Sequence, residues 1–350
     1  MKKTSPHTHQ ACRSLLQKAV RRGDMHLTEQ VARHLYEIKD TEWLKKRALV
    51  ITFEECWPLG SELHSPLKFE DALRVLKSVA IAVKMKDAAG LGSLAYEYST
   101  GVSSVLTGES EDHDIRNVSK AIKEPQNFWD WAIHKCSQDS QRTQFIQAAK
   151  DAHRRGGWPW DLAFMQAAAY LAVTNKVPMV LSSEQAPIAC PLWAALDKHT
   201  AQGKYALRKA AEIMGVTGRQ LMWISFYCES ALTNESTESY WWSREIRWRL
   251  SQFGLDYDKA KNIWQKAQYT VSELLKEEAT QLQTHFQNPS QDLFASTGDT
   301  LRRESLLSTR LETASEDSSS SLLKTTSSTK TTYLQDHQDM PIQGLLFPPD

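Results

Sequence analysis

The chain has 350 residues, 42 basic and 42 acidic side chains, and 41% apolar residues. Zero net charge gives no global reason to expect nucleic-acid binding, so any such binding must come from a local patch. The five cysteines, Cys12, Cys56, Cys136, Cys190 and Cys228, are odd in number and never form a C-x-x-C pair. This excludes a disulfide framework or a zinc ribbon and points to a reducing compartment.

The N-terminal "MKKTSPHTHQ" has two lysines with no apolar region behind them, unlike a signal peptide. "QACRSLLQKAVRRG" carries Leu15, Leu16, Ala19 and Val20 at helical spacing, and Gly23 can stop it. "LTEQVARHLYEIKD" follows, with Leu27, Val31, Leu35 and Ile38 on one face. "TEWLKKRALVITFEECW" is a helix starting at a Thr41 cap and ending before Pro58. "FEDALRVLKSVAIAVKMKDA" reads as one long apolar helix. Further helices are expected at 127–138, 141–154, 160–173, 190–213, 217–227, 238–252 and 256–286. "VPMVLSS" is the one plausible strand. The fold expected over 1–287 is therefore an all-α, multi-helix body with a possible sub-boundary near 100–126. No run reaches the roughly 18 apolar residues of a membrane span, so a soluble, cytoplasmic protein with no membrane partner is expected.

Among candidate chemistries, the 12 tryptophans fit gap-filling between helices. "WWSREIRWRL" also allows a stacking platform for single-stranded bases, because Arg244, Arg247 and Arg249 interleave with its aromatics. His113-Asp114 lies in an acidic stretch with Glu109, Glu111 and Asp112. It lacks the partners of a phosphohydrolase and is at most a weak divalent-cation surface. In the segment Asp197-Lys198-His199-Thr200, Asp197 could orient His199 as a general base. Thr200 equally suits an N-cap at a turn between helices. Lys198, Lys204, Arg208 and Lys209 are candidates for a phosphate-facing surface. The N-terminal set Lys18, Arg21, Arg22, Lys45, Lys46 and Arg47 is a second, with affinity that should fall steeply with salt. No metal site and no cofactor are expected.

From about residue 288 the composition changes. Ser305 to Thr332 contains 16 Ser or Thr among 28 residues and no aromatic residue, too little apolar surface to offset the entropy of ordering. Residues 288–341 are expected to be a disordered tether spanning about 40 Å as a flexible coil. It ends in "MPIQGLLFPPD", residues 342–350 of which hold the pentapeptide Gln343-Gly344-Leu345-Leu346-Phe347. QGLLF resembles the peptide by which many bacterial proteins bind the DNA sliding clamp. Gln343, Leu346 and Phe347 match its most informative positions, whereas Gly344 and Leu345 depart from the favoured residues. Leu346 and Phe347 would anchor in an apolar pocket on the partner while Gln343 hydrogen-bonds at its rim, and Leu345 belongs to the same binding peptide. "QLQTHF" at 281–286 suits the end of a helix instead. An intramolecular latch is the alternative for the terminal peptide.

Residues 15–60 are similar to the helical C-terminal region of the RarA/MgsA family, clamp-loader-like replication-associated recombination proteins. The matching stretches are Leu16-Gln17-Lys18-Ala19-Val20-Arg21, Gly23-Asp24, Ala32-Arg33, Lys45-Lys46-Arg47 and Glu54-Glu55-Cys56-Trp57. The last replaces the family's usual Glu-Asp-Ile-Gly. The resemblance implies a helical collar that supports oligomerisation, in a replication setting. The family's ATPase is missing: there is no G-x-x-x-x-G-K-[ST] loop to cradle phosphates. The expectation is a non-enzymatic, bacterial or phage-encoded accessory of DNA replication or repair. It would dock on the sliding clamp and bind DNA or another replication protein through its helical body, which could also support a homo-oligomer. The alternatives are a helical enzyme built on Asp197 and His199, an oligomeric scaffold, and a clamp competitor.

Overall fold

The computed structural model describes residues 6–63, 67–187 and 192–287. The Ser/Thr-rich tract at 288–341, the terminal peptide and Cys190 lie outside the described residues. Within them the chain is all-α, with fourteen helices and no named strand. The order is α1 (Pro6–Arg21), α2 (Met25–Glu37), α3 (Thr41–Glu55), α4 (Phe69–Ile81), α5 (Asp87–Ser99), α6 (Asp112–Lys123) and α7 (Pro125–Cys136). There follow α8 (Ser140–Arg155), α9 (Pro159–Thr174), the single turn α10 (Leu192–Ala195), α11 (Ala201–Met214), α12 (Gly218–Ser225), α13 (Tyr240–Ser251) and α14 (Tyr257–Gln287). No helix among the described residues is long and apolar enough to cross a membrane.

Local chemistry sets several boundaries. Gly23, at φ 79°, turns the chain out of α1, and the Asp24 carboxylate caps α2 by accepting the Leu27 amide at 2.9 Å. Pro125 and Pro159 open α7 and α9, where a missing N–H costs nothing. Thr200 caps α11 by accepting the Gly203 amide at 3.1 Å. Gly215, in the left-handed conformation at φ 65°, closes it. At α3 the expected cap moves by one residue. Asp40 holds the N-cap position without a side-chain cap bond, because its carboxylate is taken by Arg13 through two 2.7 Å bonds.

The expected long helix at 69–88 is broken. Residues 82–86 leave the helix between α4 and α5, extended at Ala82, and neighbouring backbone replaces the lost helical hydrogen bonds. Val83 N–H donates to Leu181 O at 2.8 Å, Lys84 N–H to Glu235 O at 2.9 Å and Met85 N–H to Glu55 O at 2.8 Å. The expected strand "VPMVLSS" is reduced to an isolated bridge between Ser182 and Ala82. Lys84 is fully buried and donates to the Ala80 and Ala82 carbonyls at 2.9 and 2.7 Å. Burial pushes its pKa down to about 8.

One apolar cluster runs from Cys12 in α1 to Phe286 in α14, and it includes Val105, Ile115 and Val118 from the 100–126 segment. The helix α5 packs against α6, α9 and α13. The α5–α13 approach depends on Gly90, where a Cβ would lie 2.3 Å from the main chain of Trp241 and Trp242. Backbone cannot rotate away as a side chain can. Gly90→Ala should therefore cost about 1–3 kcal/mol despite alanine's better helix propensity, measurable as a lower denaturation midpoint at unchanged m-value.

Candidate functional site

Two of the basic segments singled out in the sequence, about 180 residues apart, meet around one cavity of about 360 Å³. One wall comes from α1 and α3, with Arg13, Lys18 and Arg21 on the first and Lys46 and Arg47 on the second. The opposite wall is the turn after α10, with Asp197, Lys198 and His199, together with Phe226 just after α12. Trp158 and Asp161 close the α9 end, and Trp43 lies beside Arg13. Lys18 ties the two walls together by donating to the Leu196 carbonyl, and Gln10 donates to Asp197 at 3.3 Å.

The cations are held from behind. Arg21 donates to Glu55 at 2.6 Å, to Glu54 at 2.9 Å and to the Ser230 carbonyl at 2.7 Å. Arg47 donates to Gln17 at 2.7 Å and to Asp161 at 3.1 Å, and lies 3.4 Å from Glu54. Lys86 completes the network by donating to Glu55 at 2.8 Å. Glu54 and Glu55 are each 1% exposed and do not line the cavity, nor does Asp40. The arrangement presents cations to the cavity and places most of their carboxylate partners in a layer behind. Aromatic rings fix two more heads. The Arg13 guanidinium lies 5.0 Å from the Trp43 ring centroid, and the Lys198 ammonium lies 4.8 Å from that of Trp223.

A π-helical turn at Phe226–Ser230 shapes this wall. Wider turns free main-chain carbonyls and recur at functional sites. Here the Glu229 carbonyl accepts from Arg22 at 2.7 Å, beside the Glu229 carboxylate at 2.6 Å, and the Ser230 carbonyl accepts from Arg21.

The alternative base dyad of Asp197 and His199 finds no hydrogen bond between the two side chains, whereas the turn with Thr200 as cap is formed. The Asp197 carboxylate accepts the main-chain amide of His199 at 2.8 Å as well as Gln10, which shapes the turn into α11. Burial opposes its charge, but His199, Lys18 and those hydrogen bonds hold its pKa below the usual carboxylate range. Burial pushes the His199 imidazole down to about 4, against the pull of Asp197, so it is neutral at pH 7. Lys198 is driven down to about 7 by burial, opposed by Asp197.

The remaining sequence candidates divide by location. Lys45 pairs with Glu42 at 2.7 Å. Lys46, Lys204, Arg208 and Arg247 are exposed. Arg22, Arg244 and Arg249, taken from the sequence as surface candidates, are interior ion-pair partners instead. Arg22 meets Glu229, Arg244 meets Asp112, and Arg249 meets Glu97 at 2.5 Å. The aromatics of "WWSREIRWRL" are packed likewise: Trp241 and Trp248 are buried, and Trp248 donates to Ser104 at 3.2 Å. Asp112 also accepts the Gly108 amide at 2.6 Å, so the acidic stretch anchors its own loop and α13. Among the described residues no cluster of three His, Cys, Asp or Glu could hold a metal. The described cysteines are buried, and burial pushes the thiols of Cys12, Cys56 and Cys228 up to about 12.

What sequence reasoning missed is the role of Glu54 and Glu55. In the sequence they stand only at the end of the expected third helix, in Glu54-Glu55-Cys56-Trp57. Their i, i+1 spacing on a helix otherwise apolar at Leu49, Val50, Ile51 and Phe53 was the available signal, since adjacent carboxylates on such a face need cationic partners. The fold and site together define an all-helical protein with a cation-lined cavity. No family model matches the chain, and neither a curated protein nor a solved structure does.

Proposed function

We propose that this chain is a non-enzymatic accessory of DNA replication or repair, associated with the nucleoid. It docks on the sliding clamp through Gln343, Leu345, Leu346 and Phe347, and it engages DNA or another replication protein through its helical body. The observation that carries this reading is QGLLF following a long Ser/Thr-rich tract. A tethered motif makes weak body contacts nearly intramolecular, at an effective concentration on the order of mM. The resemblance of residues 15–60 to the RarA/MgsA family supports the same setting. The ion pairs Arg21–Glu54 and Arg21–Glu55, which join α1 to α3, and Arg47–Glu54, which links two turns of α3, give a physical reason for those residue types at those spacings. The competing enzyme reading is weakened because the Asp197 carboxylate is engaged by a main-chain amide and Gln10.

The test is retention of full-length protein on immobilised clamp. Leu346→Ala with Phe347→Ala should reduce retention by about tenfold or more, because large apolar anchors dominate such contacts. The helical body should melt unchanged. Equal retention of variant and parent would remove the clamp from this reading.

A further inference from the structure

The cavity between α1, α3 and the turn after α10 has the ingredients of a receptor for one kind of anion. Its volume of about 360 Å³ lies within the range of small-molecule sites and exceeds what an isolated carboxylate needs. Six cations line it against two carboxylates, Asp161 and Asp197. The Arg21 guanidinium is fixed before any ligand arrives, while Arg47, spent on Gln17, Asp161 and Glu54, adds charge rather than donors. Of its five N–H groups, Arg21 commits three to Glu55, Glu54 and Ser230. Lys46 stands exposed on α3 at the cavity's rim. Such preset donors suit the dianionic, multi-oxygen head of a phosphate better than a single planar carboxylate. Trp43, Trp158 and Phe226 bring aromatic surface to the same cavity, which offers a nucleobase a stacking partner.

We infer that this cavity binds a phosphomonoester carrying an aromatic base, supplied either by a free nucleotide or by the 5′-phosphorylated end of a DNA strand. The inference deepens the DNA-engaging half of the function proposed above and rests on that half alone; clamp docking is not required. Ordinary backbone binding neutralises internal phosphodiesters on an open surface. An enclosed site with converging cations instead selects the extra charge of a terminal monoester. Lys198 stands at the inner wall beside Asp197 and Arg249, with neutral His199 adjoining, and burial lowers its pKa to about 7; an entering anion favours its protonated form, so binding should tighten between pH 8.5 and pH 6.5.

The experiment is calorimetric titration of the full chain, with tryptophan fluorescence as a second readout. The probes are deoxyadenosine monophosphate and two oligonucleotides of one sequence, one with a 5′-phosphate and one with a 5′-hydroxyl. The phosphorylated strand is expected to bind about tenfold more tightly than the hydroxyl strand. Lys46→Glu and Lys198→Gln should each remove that difference, whereas Lys204→Glu, on α11 outside the cavity, should keep it. Melting curves of each variant establish that it is folded, and the two-strand comparison on the parent protein needs no variant. Binding of the monophosphate alone assigns the free nucleotide as source, and binding of the phosphorylated strand alone assigns the DNA end. Equal affinity for the two strands without monophosphate binding overturns the inference. So does the absence of binding by all three probes, or an unchanged phosphate preference in folded Lys46→Glu and Lys198→Gln. Loss of clamp retention in the Leu346→Ala, Phe347→Ala protein has no bearing on these titrations, so the two readings fail separately.

Discussion

Glu55→Gln is expected to destabilise the protein by about 3–5 kcal/mol, the usual cost of removing one partner from a buried ionic network. Both Glu55 oxygens are in use, one accepting from Arg21 at 2.6 Å and the other from Lys86 at 2.8 Å. Glutamine keeps one acceptor oxygen but turns an amide N–H₂ toward the other cation, leaving buried Lys86 without its counter-charge and Arg21 with Glu54 alone. The pH dependence identifies the cause. Burial alone would raise the Glu55 pKa, but Arg21 and Lys86 overcome it and lower it to about 2. A carboxyl depressed on folding contributes stability that is complete above its unfolded pKa, about 4.5, and is lost as pH falls toward 2. Urea midpoints between pH 5 and pH 2 should therefore fall steeply in the parent and less steeply in Glu55→Gln. Parallel pH profiles would show that Glu55 is not the titrating group.

Glu245→Gln should act in the opposite direction, stabilising the protein above neutral pH. Glu245 on α13 is fully buried, accepts Tyr227 O–H at 2.6 Å and lies 3.7 Å from Arg249. The Arg249 head is shared with Glu97 at 2.5 Å, and Lys86 adds a more distant attraction. Burial dominates these and raises the Glu245 pKa to about 7. A carboxyl raised on folding takes up a proton between its unfolded pKa, near 4.5, and its folded one. Native stability therefore falls as pH rises through that window, by about 1.4 kcal/mol per unit. Glutamine keeps the acceptor for Tyr227 and never carries the charge. The expected result is near-equal stability at pH 5 and a gain on the order of 3 kcal/mol for the variant at pH 8. A variant less stable than the parent at both pH values would mean that the attraction of Arg249 outweighs burial.

These two carboxylates mark the limit of what the sequence could say about the site. Glu55 and Glu245 have the same side chain on similar helices, yet one is held ionised and the other is driven toward neutrality. The difference lies in how many cations the packing brings to each, which no local pattern records. Arg22, Arg244 and Arg249 illustrate the same point. Read along the chain they are basic residues on amphipathic helices, and only Glu229, Asp112 and Glu97, contributed by other segments, turn them inward. Lys18 and Lys198 were both named from the sequence, but nothing in either segment shows that the two face one cavity.

The sequence by itself determined the elements. Apolar residues repeating at three and four positions give α1, α2, α3 and α14, Gly23 and Asp24 make the first turn, and Thr200 caps α11. Each of these depends on interactions within a turn or two of helix, so a short window contains the whole cause. Tertiary structure alone decided the break at residues 82–86, where a helix-forming stretch yields its local hydrogen bonds to carbonyls at 55, 181 and 235. It also decided which charges pair and where the cavity lies. Those outcomes depend on groups between about thirty and two hundred residues away in the chain, beyond the reach of any local pattern, and the zero net charge conceals which cations face inward.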